Sequence, residues 1–383
     1  MKKIVFIAYY GDDLKKSERL SAPASDAKIE YIVNTAIKVG YQVEVLSMCD
    51  TDDRNVFFSK QKGYVKKKNG FNIRYFDSYN SKFKIIRVLG RMVSRKKKIK
   101  YIKENVSKEC KVILYHSLSL MDLYSLLKNM GHRFTIDVEE LYADVMGNLK
   151  LRKREIDALK LADSYIFPTQ MLSKVINMED KPEVIVHGTY KVNDIVEKNT
   201  NFSFDNSKIH CLYAGTFDPR KGGVYSAIEA ARYLDSSYHL HILGFGTDDE
   251  IADVKRKINS TITTNCAKLS YDGLLKGNDY IAFLQNCDIG LSTQNPNAAF
   301  NDTSFPSKIL SYLANGLHVV SVRIPVVEQS AIADIISFYD KQEPEKIAEA
   351  IRSVDLSKSY DSRSILFSLD KEFTEEFEQL MEE

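Results

Sequence analysis

Two parallel α/β domains, each with helices on both faces of its sheet, are the fold class this sequence predicts. Short apolar runs alternate with segments of helical spacing along most of the chain, which is the pattern of βαβ units. The chain has 383 residues, too many for one ordinary core and enough for two domains of about 150–200 residues each. The stretch Asn193 to Lys208 is polar and aperiodic, as a linker is. The expected domains are residues 1–192 and 209–356, joined by a linker over 193–208, with 357–383 as a terminal helix packing back across them.

The first half opens on the strand Lys2 to Tyr9. Its basic start, short apolar run and lack of a small-residue cleavage site read as strand rather than secretion signal. The loop Gly11 to Ala24 precedes a helix near Asp26 to Val39, and Gly40-Tyr41 turns the chain into the strand Gln42 to Ser47. After a weakly patterned stretch over 50–110, VILYHS (Val112 to Ser117) is an apolar strand that carries His116 at its end. IDVEEL (Ile136 to Leu141) is another, ending in Asp137, Glu139 and Glu140, one of which is expected to cap the next helix. A helix over Glu155 to Asp163, the strand SYIFPT and the strand VIVHG (Val184 to Gly188) close this half. Ligands of open α/β sheets bind at the carboxyl ends of strands, which singles out His116 and the carboxylates of IDVEEL, and by position Tyr9, Tyr10 and Gly11.

The second half is clearer. IHCLYAGTFDPRKGG (Ile209 to Gly223) is a strand, a glycine, a polar loop with Arg220 and Lys221, and two glycines opening a helix. LHILGFG (Leu240 to Gly246) is a strand ending in a Gly-x-Gly turn, where Gly244 and Gly246 let backbone approach a ligand. LSYDGLL, a helix near Asp279 to Gln285, and the strand CDIGLST follow. A polar loop, Asn295 to Ser304, then feeds the helix of FPSKILSYLANGLHVVS (Phe305 to Ser321). Ser304 or Ser307 is expected to cap it, Ile309, Leu310, Leu313 and Ala314 to form its apolar stripe, and Gly316 to stop it before a buried strand from His318. Its start, with Lys308 one turn in, suits a nucleotide phosphate or sugar hydroxyls. Asp370 to Glu383 is an acidic helix with Phe373, Phe377 and Leu380 on one stripe.

Charge and cysteine usage narrow the function classes. The five cysteines show no pairing or metal-ligand spacing and sit mostly in apolar strands, so reduced buried thiols and a cytoplasmic location are expected. No run reaches the 18 or so apolar residues of a spanning helix. Net charge is only +2, yet residues 82–103 hold ten Lys or Arg, Arg91, Arg95, Lys96, Lys97 and Lys98 among them, and no acid. Phe83, Ile85, Ile86, Val88, Leu89, Met92 and Val93 are interleaved with these charges. Such a segment suits an anionic membrane surface, each basic residue contributing about 1 kcal/mol. A solvated surface helix is the plainer reading, and Gly90 weakens the helix itself. Nucleic acid is disfavoured because no binding motif accompanies the charge.

The order of segments from 209 to 321 resembles the C-terminal domain of GT-B glycosyltransferases, specifically the family-4-like group. VILYHS, IDVEEL and VIVHG resemble N-terminal counterparts in that group, although Glu139 stands where histidine is usual and His187-Gly188 where Asn-Gly is. The resemblance implies two Rossmann-like doubly wound domains facing a deep cleft, and transfer of a sugar from a nucleoside-diphosphate sugar without a metal or other cofactor. It also implies a glycan acceptor on a polyprenyl carrier, in surface polysaccharide synthesis at the inner face of the plasma membrane. Lys221 matches the family's diphosphate-binding lysine, and Thr216 replaces the arginine usual after the preceding glycine. Arg220 or Lys308 is expected to replace that charge, Lys308 being the better placed. The paired glutamates of the family correspond to Thr303 and Ser311 here, so Asp302 is the candidate for the sugar-contacting role, and the stereochemical outcome is open. Thr303, Ser304, Phe305, Ser307 and Ser311 complete the expected donor site, while His116, Asp137 or Glu139 supplies the base if transfer inverts. A non-catalytic partner subunit and a nucleotide-sugar epimerase remain as alternatives on the same scaffold.

Overall fold

A computed structural model describes every residue except 1, 13–18, 20–22, 53–54, 197–201, 220–221, 263–265 and 359, and only the backbone of 23–24 and 299–300. The chain divides into two units, residues 1–189 with 372–383 and residues 190–371. The division falls just before the polar 193–208 segment.

The first unit contains β1 (Lys3–Ala8), α1 (Pro23–Lys38), β2 (Gln42–Ser47), β3 (Ser59–Gln61), β4 (Tyr64–Lys68), β5 (Phe71–Tyr75) and β6 (Ser78–Asn80). It continues through α2 (Lys84–Asn105), β7 (Lys111–Tyr115), α3 (Met121–Asn129), β8 (Phe134–Asp137), α4 (Tyr142–Val145), α5 (Leu149–Leu159), β9 (Ser164–Phe167), α6 (Gln170–Ile176) and β10 (Glu183–Ile185). Its main sheet runs β10-β9-β8-β7-β1-β2-β5-β4, parallel throughout except for β4 against β5. The inner strands are apolar on both faces because helices cover both: Ile4, Val5, Phe6, Ile7 and Ala8 of β1 are all buried. The 50–82 stretch, which carries little pattern in the sequence, supplies β3 to β6.

Helix α2 turns inside out relative to its composition. Ser94, Lys98 and Ile102 face the body, whereas Ile85, Val88, Leu89, Met92 and Val93 are exposed. Gly90 lies on the inward side, and a Cβ there would stand 2.6 Å from Tyr79 Cβ. The glycine that weakens the helix on propensity is therefore the one that lets it seat against β6. Lys98 corrects its expected place on a membrane surface: it is 3% exposed and bonds the Met48 carbonyl and Asp50, both at 2.8 Å. Burial lowers its pKa, and Asp50 only partly offsets this.

The second unit holds β11 (Ile209–Thr216), α7 (Gly223–Ala230), β12 (Tyr238–Phe245), α8 (Asp248–Thr261), β13 (Lys268–Gly273), α9 (Gly277–Leu284), β14 (Ile289–Ser292) and α10 (Lys308–Ala314). After these come β15 (His318–Val322), α11 (Pro325–Glu328), β16 (Ile336–Tyr339), α12 (Pro344–Arg352) and the start of α13 (Ser362–Glu382). Its sheet, β13-β12-β11-β14-β15-β16, is wholly parallel. Gly316, at φ +86°, ends α10 as the sequence reading has it, with Leu317 N–H bonding back to the Tyr312 carbonyl. The end of α13 belongs to the first unit, where Phe373, Phe377 and Leu380 are buried and Phe373 stacks on Tyr31 at 5.5 Å. Four of the five cysteines are buried and all are free thiols.

Candidate functional site

In each sheet the winding reverses once, and ligands of such folds bind where the two directions part. In the second unit β11 leads through α7 to β12 on one side, while β14 leads through α10 to β15 on the other. The switch point is the gap beyond the carboxyl ends of β11 and β14. Their ladder pairs only Cys211 with Ile289 and Leu212 with Gly290. Past it, Tyr312 of α10 fills the widening gap, its hydroxyl accepting from Ala214 N–H at 2.9 Å and donating to the Leu291 carbonyl at 3.3 Å. One buried phenol therefore pins α10 to both strands. The 3.6-residue stripe of α10 does not single Tyr312 out, and nothing local in the sequence does.

Lys308, the first residue of α10, is brought to this gap. Its ammonium lies 4.4 Å from the centroid of the Tyr213 ring, and 3.6 Å from where a Cβ on Gly215 would stand. Gly244 is required nearby for a different reason: a Cβ there would be 1.9 Å from the Gly215 carbonyl oxygen, at φ +150°. Thr216 is exposed at the tip of β11, and Gly246 is half-buried beyond β12. The loop after β14 is tied to the start of α7 by the Thr293 hydroxyl donating to the Gly223 carbonyl at 2.7 Å, and Gln342 donates to Thr293 O and Ser226 Oγ, both at 2.7 Å. These bracing residues carry no motif.

Two helix starts lie beyond the carboxyl ends of β11 and β12, and they differ in charge. Thr247 and Glu250 close the start of α8 with a reciprocal capping box, and Asp248, Asp249 and Glu250 fill its first turn with carboxylates. An anion is repelled there. The start of α7 has Gly222 as its cap, at φ +64°, with no side-chain cap and no acid in the first turn. Its amides and dipole are suited to an anion.

The remaining donor-side residues divide. Phe305 and Thr303 are buried, Ser304 is half-buried, Ser307 and Asp302 are exposed. Neighbouring Asp302 and Thr303 thus differ in access to solvent. Ser307 sits at the cap position of α10 but in helical backbone, and its side chain accepts no capping bond there, so of the two serines expected to cap this helix Ser307 does not. Ser311 shares a 3.3 Å hydrogen bond with Tyr280. Arg220 and Lys221 lie outside the described residues.

In the first unit the switch lies between β1 and β7, and the Tyr9 hydroxyl meets Ser119 Oγ across it at 2.8 Å. Gly11 follows, its N–H donating to the Asp26 carboxylate at 3.1 Å. Tyr10 is corrected: it is fully buried, with its hydroxyl on Asp12, Glu30 and Lys68.

The three candidate bases part company too. His116 and Asp137 are both 0% exposed, so neither reaches a substrate as it stands. His116 Nε2 lies 3.2 Å from Glu155 Oε1, off the line of a hydrogen bond. Glu155 itself accepts from Tyr142 and Ala143 N–H, so Glu155, and no carboxylate of IDVEEL, caps α4. Asp137 pairs at 2.9 Å with Lys28 of α1, which also holds Glu139 Oε1 at 2.7 Å. Glu139 keeps 22% of its side chain exposed. Burial raises its pKa above the usual carboxylate range, against Lys28 and with Asp137. For Lys28 itself burial works against the charge, but the two carboxylates outweigh it and raise the pKa. Lys28 lies more than a hundred residues before its partners and left no sequence signal.

No protein-family model and no curated protein matches the chain. Solved structures do. Sucrose-phosphate synthase from Thermosynechococcus elongatus matches with TM-score 0.72 at 13% identity, over 100% of this chain and 98% of that one. The fold is GT-B. An α,α-trehalose-phosphate synthase (UDP-forming) from Burkholderia xenovorans, in complex with glucose-6-phosphate, matches this GT-B chain with TM-score 0.68 at 9% identity, covering 100% and 99%. An E. coli structure described as trehalose-6-phosphate bound with UDP-2-fluoro glucose gives 0.64 at 10%, covering 99% and 97%. At these identities the likeness establishes GT-B architecture alone, so the roles of residues rest on geometry.

Proposed function

We propose that this chain is a glycosyltransferase that takes a sugar from a nucleoside-diphosphate donor bound at the switch point of its second unit. The observation that carries the reading is the convergence of Lys308, Gly215 and the acid-free start of α7 at the carboxyl ends of β11 and β14. Breaking the anomeric C–O bond places negative charge on the departing diphosphate. A lysine ammonium and a helix start, fixed before the reaction, stabilise that charge most when it is largest. This requires no metal at the donor. Gly244 lets the end of β12 close on Gly215, and Gly215 leaves room for the Lys308 ammonium; Lys221 is assigned to the diphosphate by family resemblance. On the acceptor side Glu139 is the carboxylate we assign to the acceptor hydroxyl, because it alone of the three candidates is accessible and carries a raised pKa.

The acceptor we propose is a lipid-linked glycan at an anionic membrane. The exposed face of α2 supports this: Ile85, Val88, Leu89 and Met92 lead into Lys96, Lys100 and Lys103, with Phe57, Phe58 and Phe83 also exposed. Arg91, Arg95 and Lys97 are paired with Asp52, Asp122 and Asp77, and Lys100 with Glu104, and these contribute less. No described helix is long and apolar enough to cross a membrane. The second reading is a sugar-phosphate acceptor, favoured by the glucose-6-phosphate complex among the structural neighbours.

The test is thermal stabilisation against UDP-, GDP-, dTDP- and CMP-sugars, since a ligand that binds only the folded state raises the melting transition by mass action. One nucleotide class should stabilise the protein, and Lys308→Ala should sharply reduce the shift at the same ligand concentration. Stabilisation by none of them would turn the assignment to a non-catalytic subunit.

A further inference from the structure

Three of the chain's seven histidines meet at the opposite end of the second sheet from the candidate donor site. His210 is the second residue of β11, and His239 and His241 are the second and fourth of β12. The parallel register sets His210 beside His239, and the two-residue alternation of a strand puts His239 and His241 on one face. All three are buried, and each offers one ligand nitrogen within 4.8 Å of the other two. Among the described residues no other cluster of three metal-ligating side chains occurs.

Each ring is held from outside by an acceptor. His210 Nε2 is 3.0 Å from the Asp205 carbonyl oxygen, and His241 Nδ1 is 3.1 Å from Asp272 Oδ2. The Ser270 hydroxyl donates to Asp272 at 2.8 Å and therefore accepts from His239 Nε2 at 2.9 Å. These partners fix the tautomers, because each outer nitrogen must carry its ring's proton. Neutral rings then have no hydrogen left for the inside. Yet His210 Nδ1 and His241 Nε2 face each other at 2.9 Å, two lone pairs with nothing positive between them.

We propose that a divalent metal ion of the zinc class binds His210, His239 and His241. Imidazole nitrogens suit zinc, cobalt and nickel. The outer partners are the carboxylate, carbonyl and hydroxyl that orient histidine ligands in metal sites. Tetrahedral coordination at about 2.0–2.1 Å sets ligand nitrogens about 3.3 Å apart, so the 2.9 Å pair opens by a few tenths of an ångström. Phe204 lies over His210 and His241, and Phe283 beside His241, at centroid distances of 4.9–5.2 Å, which gives the ion an apolar shell. The site ties β11 to β12 and to the segment before β11. It lies about 17 Å along β11 from Gly215 at 3.3 Å per residue, so its role is structural.

The test uses tag-free full-length protein. After loading with zinc and exhaustive dialysis, elemental analysis should find one equivalent per chain, and cobalt(II) should give the intense visible bands of a tetrahedral site. Zinc should raise the melting temperature of the wild type and leave that of the H239Q/H241Q double variant unmoved. A wild type that retains no more metal than this variant and shows no tetrahedral cobalt spectrum would overturn the proposal, leaving a shared proton between His210 and His241. If the double variant does not fold, the cobalt spectrum of the wild type decides alone.

Discussion

At the scale of single residues, two lysines carry the account. Lys308 holds its place over Tyr213 by cation–π attraction and stands at the mouth of the switch. A charge-assisted contact to a diphosphate contributes about 1.5–3 kcal/mol. Lys308→Ala should therefore weaken nucleotide binding about 10- to 100-fold in a titration calorimeter, with little change in the melting temperature of the free protein. Lys28 is structural: it neutralises Asp137, fully buried, and Glu139 beside it. Lys28→Met leaves a buried carboxylate unpaired, and urea unfolding should show a loss of about 3–5 kcal/mol. Glu139 gives the pH signature. Its folded pKa lies above the ordinary glutamate value of 4.5, so the folded state holds the proton more tightly than the unfolded one. The glutamate's contribution to stability then falls as pH rises above 4.5 and levels off only past the folded pKa. The stability difference between Glu139→Gln and wild type should grow over that interval, whereas a flat difference would place Glu139 in an ordinary solvated setting.

At the scale of elements, legibility followed locality. The strand from Gln42 to Ser47 and the helix ended by Gly316 are written in neighbouring residues, and the structure has them where the periodicity puts them. The acidic C-terminal stripe, Phe373, Phe377 and Leu380, is buried as its spacing implies. Long-range partners are not written locally. Lys28 reaches Asp137 across 109 residues, Tyr312 reaches Ala214 across 98, and the histidine cluster exists only once β11 and β12 are in register. The one local hint of that cluster is the His-x-His spacing of β12, which reads equally as part of an apolar strand. Composition misled in α2, where Lys98 turns inward and Leu89 outward. Leu89→Glu with Met92→Glu should abolish flotation with vesicles containing anionic phospholipid and leave nucleotide-induced stabilisation intact. Retained flotation would remove the membrane surface from the account.

At the scale of the whole molecule, the chain is two doubly wound units, and its last residues return to the first of them. That return carries stability: Phe377 is 0% exposed, and truncating a buried phenylalanine costs about 3–5 kcal/mol. Phe377→Ala should lower the unfolding midpoint of the full chain accordingly. The same two-unit plan places a strand-end switch in each unit, Tyr9 and Ser119 in one and Gly215 and Lys308 in the other, and the proposed chemistry divides between them. The measurement that tests this most directly is amide hydrogen exchange with and without the nucleoside-diphosphate sugar that stabilises the protein most. Exchange should slow in the peptides covering 213–224 and 293–311. Protection confined to other segments, or none in either, would contradict a donor site at the β11–β14 switch.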